Sequence, residues 1–97
     1  MKKKKISPGD FVYACGNYSA VIYASVDLGL ELDWIATSRF RSIKTNKRSD
    51  FALVIASGIN VAITGPNIDR YYESWAYVLT SRGVLGYTFE SWIDVLK

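Results

Sequence analysis

The sequence predicts an all-β fold, a closed barrel or small sandwich of short antiparallel strands. Three observations carry that prediction. Large apolar residues recur with a period of two along Leu28 to Trp34 and along Trp75 to Thr80, as they do on a strand. Clusters of turn-forming residues punctuate the chain at Ser7-Pro8-Gly9-Asp10, Gly16-Asn17, Ser57-Gly58, Gly65-Pro66-Asn67 and Ser81-Arg82-Gly83. No stretch keeps the apolar period of a long helix. Closure into a barrel would also leave few exposed strand edges.

The elements follow in order. Residues 1–6 form a flexible basic tail and residues 7–97 a single β-barrel domain. Ser7-Pro8-Gly9-Asp10 is a turn, and Phe11 to Cys15 the first strand. Gly16-Asn17 tolerates positive φ and makes a tight hairpin turn into Tyr18 to Val26. There Ala20, Ile22, Ala24 and Val26 share one face, and Val21, Tyr23 and Ser25 the other, so the strand is covered on both sides or enters an interface. Asp27 to Phe40 reads as a strand, with Leu28, Leu30, Leu32 and Trp34 on an apolar face and Glu31 and Asp33 on a polar face outside the core. Residues 41–49 form a basic loop. Phe51 to Ala56 and Ile59 to Thr64 form a β-branched hairpin turning near Ser57-Gly58. Ile68 to Ser74 is a turn or one helical turn. Trp75 to Thr80 and Val84 to Phe89 pair across a turn at Ser81-Arg82-Gly83. Glu90-Ser91-Trp92 is a 3₁₀ turn, and Ile93 to Leu96 closes the fold, for about eight short strands.

Composition removes much chemistry. The 97 residues are 49% hydrophobic and 22% charged, enough apolar side chain for one core rather than a disordered chain. There is no histidine and one cysteine, so a Ser–His–Asp or Cys–His unit, an intramolecular disulfide and a four-cysteine metal site are all excluded. No cofactor and no metal is expected. The net charge of +3 comes from Lys2 to Lys5; the other eight basic and nine acidic side chains leave the body at −1. A membrane span is not expected, because the 18-residue uncharged run Phe51 to Ile68 holds internal turn signals. Pro8, Gly9 and Asp10 interrupt the apolar stretch that a signal peptide before Cys15 would need. Cys15 then reads as a small buried residue of a reducing compartment.

Both ends of the chain resemble a known group. Pro8-Gly9-Asp10-Phe11-Val12, the hairpin Val78-Leu79-Thr80-Ser81-Arg82-Gly83-Val84-Leu85-Gly86-Tyr87, and Trp92-Ile93-Asp94-Val95-Leu96 are similar to small SH3-like barrel proteins encoded by tailed bacteriophages. Those begin with a Gly-Asp-hydrophobic-Val strand and end with a tryptophan-bearing hairpin and a last strand. The similarity covers about 30 residues. Thr80, Arg82 and Tyr87 depart from it, standing where the group has tryptophan, aspartate and tryptophan. It implies a small SH3-like barrel of short antiparallel strands with an elaborated middle hairpin. It also implies a phage setting, in the cytoplasm of the host cell or in the virion.

The candidate functional residues fall into sets. Arg70, Tyr71, Tyr72, Trp75 and Tyr77 combine the residue types that dominate protein interfaces and are the expected protein-binding set, the partner being another protein or a second copy in a homo-oligomer. Arg39, Arg41, Lys44, Lys47 and Arg48, with Phe40 between two arginines, make a basic loop able to bind nucleic acid or another anion; this is the weaker expectation. A third possibility is sequestration of a nucleotide signal, with Arg39, Arg41 and Arg70 on phosphate and Trp34, Tyr71 and Tyr72 stacking on a base. Asp69 and Glu73, four apart, would share a helical face and could serve acid–base chemistry or hold a cation, but a solvated surface explains them as well. No linear pattern selects a catalytic residue, and the expectation is a non-catalytic protein-binding or assembly module.

Overall fold

The alternation read along the chain becomes one antiparallel sheet in the computed structural model, which describes residues 5–15, 19–27, 29–35 and 50–95. Seven strands lie among these residues: β1 (Phe11–Ala14), β2 (Ala20–Tyr23), β3 (Glu31–Ile35), β4 (Ala52–Gly65), β5 (Ile68–Thr80), β6 (Leu85–Phe89) and β7 (Ile93–Val95). Their order is β3-β2-β6-β5-β4-β1-β7, and the sheet curls into a half-barrel. The Ser81-Arg82-Gly83 turn, the 3₁₀ turn Glu90–Trp92 and the closing strand form where expected. The Gly16-Asn17 turn lies outside the described residues.

The middle of the chain differs from expectation. The chain does not turn at Ser57-Gly58. It runs on as a 14-residue strand, turns at Pro66-Asn67 and returns as a 13-residue strand. Gly58 instead supplies a β-bulge: its φ is +69°, and the β4–β5 register slips between Val54 and Ala56 and between Ala56 and Ile59. The extra residues there would leave backbone donors unpaired. Glu90 meets one of them, its Oε2 accepting from the Gly58 N–H at 2.5 Å. Ile68 to Ser74 is consequently strand, not a turn or helical turn; Tyr71 to Trp75 pair one for one with Ile63 to Ile59, and the register slips once more between Ile63 and Gly65 beside the turn.

The two faces of β5 show where the core sits. Ala76, Val78 and Thr80 are buried on one face and join Val12, Ala14, Ala20, Ile22, Ile35, Ala52, Val54 and Ile93 in an aliphatic core. Trp75, on the opposite face by alternation, is fully buried as well. It packs on Phe89 (ring centroids 4.0 Å) and edge-on to Tyr23 (6.0 Å), with Trp92 closing the group against Phe89 at 4.5 Å. The central strand is thus covered on both sides, which fits its apolar content.

β3 reverses the predicted facing. Leu30, Leu32 and Trp34 are the exposed side, at 60%, 42% and 49%, while Asp33 and Ile35 face inward. Asp33 and Ile35 oppose the buried Ile22 and Ala20 of β2, and a register slip between Ile22 and Tyr23 leaves Leu32 without an opposite residue. Inward placement of a carboxylate needs a partner, and Asp33 has two, Thr80 and Arg82. Its Oδ2 accepts from the Thr80 hydroxyl at 2.9 Å, its Oδ1 from Arg82 Nη2 at 2.8 Å, and Arg82 Nε donates to it at 3.0 Å. Arg82 also donates to the Trp34 carbonyl and, through Nη1, to Asp50 at 2.5 Å. Its guanidinium lies 5.5 Å from the Trp34 ring centroid. Thr80 and Arg82 therefore act together. They tie β3, the outermost strand on its side of the sheet, to the β5–β6 turn.

That tie makes stability pH-dependent. Burial alone would raise the Asp33 pKa, but hydrogen bonds from Arg82, the Trp34 backbone and Thr80, with the Arg82 charge, outweigh it and hold the carboxyl below its ordinary 3.8. A lowered folded value stabilises the fold above the unfolded pKa, and that stabilisation is lost as pH falls below 3.8 toward the folded value. Arg82 is 43% exposed at its side chain, so solvent screens much of the pairing. Replacing Asp33 with asparagine is expected to cost about 1–2 kcal/mol at neutral pH. It is also expected to flatten the acid limb of a urea-melt stability profile. An unchanged acid limb would show that Asp33 does not carry it.

Candidate functional site

β6 pairs with β5 only from Trp75 to Leu79, and β1 pairs with β4 only at Ala52 and Leu53. Beyond Ile59 and Trp75 the β4–β5 hairpin has no other strand beside it among the described residues. It continues for six or seven residue pairs, about 20 Å at strand rise, as a two-stranded ribbon. The Glu90-capped bulge sits at its root.

Cross-strand register sorts the ribbon into faces. Ile59 opposes Trp75, Val61 opposes Glu73 and Ile63 opposes Tyr71; on the other face Asn60 opposes Ser74 and Ala62 opposes Tyr72. Ile59, Val61, Ile63 and Tyr71 share a face with Glu73, which stands opposite Val61, and that face runs into buried Trp75. Asn60, Tyr72 and Ser74 are exposed on the other, around half-buried Ala62, and Thr64 and Arg70 are exposed nearer the turn. Tyr71 is 44% and Tyr72 59% exposed, and the Arg70 guanidinium lies 5.8 Å from the Tyr72 ring centroid.

The expected protein-binding set is therefore divided. Arg70, Tyr71 and Tyr72 come together on the ribbon and are open to a partner. Trp75 is not: it is buried in the aromatic group at the root. Tyr77 is half-buried and stacked on Tyr87 at 4.7 Å. The basic set Arg39, Arg41, Lys44, Lys47 and Arg48 lies outside the described residues. Of the nucleotide set, Arg70, Tyr71 and Tyr72 are on the ribbon, whereas Trp34 is on β3 beneath Arg82. Asp69 and Glu73 are on a strand, where four residues span about 13 Å, too far to share a proton or a cation. Among the described residues no group of three His, Cys, Asp or Glu could hold a metal ion, and no helix is long and apolar enough to cross a membrane.

The apolar content of Phe51 to Thr64 on both faces suggested burial between subunits, but a turn expected at Gly58 kept Ile59, Val61 and Ile63 from being placed on a projecting ribbon, where they are half-buried. The available signal was the uncharged run from Phe51 to Ile68 ending in Gly65-Pro66-Asn67, the stronger of its two turn clusters. No family model, no curated protein and no solved structure matches the chain.

Proposed function

We propose that this protein is a non-catalytic protein-binding or assembly module that engages its partner through the β4–β5 ribbon. The observation that carries the reading is the ribbon itself. A two-stranded hairpin is marginal on its own in water, yet this one extends past the sheet with Ile59, Val61 and Ile63 on one side and exposed tyrosines and an arginine at its far half. Tyr and Arg supply much of the binding energy at protein interfaces, and Tyr71, Tyr72 and Arg70 are exposed on the ribbon. The absence of histidine from the sequence favours binding over catalysis. We also infer that the body is an SH3-like barrel of the bacteriophage kind, acting in the host cell or in the virion. Its support is the similarity at both chain ends, together with a last strand that follows a 3₁₀ turn and pairs with the first.

The test is a photo-crosslinking amino acid placed at Tyr71 or Tyr72 in cells, with Ser81 in the β5–β6 turn as control. Protein adducts from the ribbon positions but not from Ser81 are the expected result. Adducts to nucleic acid alone would replace this reading with the basic-loop alternative. No adduct from either tyrosine would overturn it.

A further inference from the structure

The two edges of the ribbon differ in kind. The β5 edge carries Asp69, Arg70 and Glu73, charges of the sort that discourage strand addition. The β4 edge from Ile59 to Thr64 carries no charge and no proline. Four of its six residues are β-branched, and no strand pairs with its outer side among the described residues. One edge is guarded and the other is a template for pairing.

The geometry points to a second copy of this chain as the occupant of that template. β4 pairs antiparallel with β4 of the copy, around a two-fold axis normal to the sheet at Val61. This rests on the ribbon being the binding element and names its partner. Charge selects the edge. Around Val61 the opposed pairs are Val61 with Val61, Ile59 with Ile63 and Asn60 with Ala62, none charged, and two of the three join β-branched residues. The equivalent two-fold on the β5 edge at Tyr71 would set Asp69 against the copy's Glu73. Centred on Arg70, it would set two arginines together. Like charges directly opposed disfavour both.

Pairing through β4 also resolves the marginal stability of the ribbon. Two strands become four, in the order β5-β4-β4-β5, with Ile59, Val61 and Ile63 of both copies side by side at the centre of one face and Tyr71 and Glu73 flanking them on the outer strands. The charged β5 strands become the outer edges. An isologous contact closes on itself, so the product is a dimer and not a fibre. The strand-to-strand contact alone falls short of the roughly 1,000 Å² of a stable interface, so the dimer is reversible and concentration-dependent.

The experiment uses the full chain with Cys15→Ser, which leaves a hydroxyl where the thiol donates to the Ser91 carbonyl. Into it go Val61→Cys or, separately, Tyr72→Cys. Two residues opposed across strands have Cβ atoms about 4.5–5.5 Å apart, close to disulfide reach. The two Tyr72 positions would lie three strand spacings apart, about 14 Å. Under mild oxidation, Val61→Cys is expected to form linked dimer about tenfold or more faster than Tyr72→Cys. Sedimentation velocity of the unaltered chain is expected to show a monomer–dimer equilibrium that Val61→Lys abolishes while the circular dichroism spectrum stays the same. A chain monomeric at every concentration, or Tyr72→Cys linking faster than Val61→Cys, overturns the β4 dimer. Ribbon adducts to another protein in the crosslinking experiment would then leave the binding reading standing, so the two can fail separately.

Discussion

Replacing Gly86 with alanine is expected to destabilise the fold by about 3 kcal/mol, the upper part of the range for forcing a methyl group into packed structure. Gly86 lies where β2 pairs closely with β6. A Cβ there would sit 2.7 Å from the Tyr23 carbonyl oxygen and closer still to Ile22 Cγ2. Ile22 could in principle swing away, but it is fully buried in the aliphatic core. The carbonyl is backbone and cannot move without breaking the Tyr23–Tyr87 pairing, the one register contact between β2 and β6. The cost is steric, since Gly86 is not among the glycines of positive φ. Gly29 is the control: a Cβ there meets nothing within 4 Å, and Gly29→Ala is expected to change stability by less than about 0.5 kcal/mol. Urea denaturation of both variants checks this. Equal midpoints for Gly86→Ala and Gly29→Ala would mean that β2 does not pair with β6 so closely.

The all-β architecture was legible because it rests on local signals. Alternation around Trp75 to Thr80 and the Ser81-Arg82-Gly83 turn each depend on a few adjacent residues. The β4–β5 excursion was not legible for a physical reason. Gly58 takes a positive φ both in a hairpin turn and in a bulge, and local sequence does not separate the two. What separates them is Glu90, 32 residues away, whose carboxylate holds the bulge open. The facing of β3 failed in the same way. Asp33 looked like a solvent-side residue because its neighbours Leu32 and Trp34 are apolar. Its inward position is decided by Thr80 and Arg82, nearly fifty residues later.

The candidate site was legible in composition but not in geometry. Arg70, Tyr71 and Tyr72 stood out by residue type, and they share the ribbon. Their partners across the strands, Ile63 and Ala62, carry no functional chemistry of their own. They matter only through a register that depends on where the chain turns. Trp75 shows the converse. Its type suggested an interface anchor, and a buried aromatic and an exposed one look alike in sequence. The distinction comes from Phe89, Tyr23 and Trp92, supplied by three other parts of the chain.

Trp75→Ala should separate core from interface with the largest effect of all. Truncating a buried tryptophan costs about 3–5 kcal/mol, and here it would remove the ring that Phe89 and Tyr23 both pack against. The loss comes from burial, not polarity, because the indole Nε1 has no hydrogen-bond partner among the described residues. Trp75→Phe should therefore recover a large part of the lost stability, leaving a smaller cavity and one fewer buried donor. Tyr72→Ala, three residues away on the ribbon and 59% exposed, should leave the denaturation midpoint within about 0.5 kcal/mol of the parent. Its effect should fall instead on protein crosslinking from position 71 of the ribbon. An interface role for Trp75 makes the opposite forecast, a folded Trp75→Ala chain that fails to bind. Thermal melts of Trp75→Ala, Trp75→Phe and Tyr72→Ala, set beside their protein crosslinking from position 71, decide between the two. A Trp75→Ala variant as stable as Tyr72→Ala would return Trp75 to the surface and undo the continuity between the Val61 face of the ribbon and the buried aromatic group.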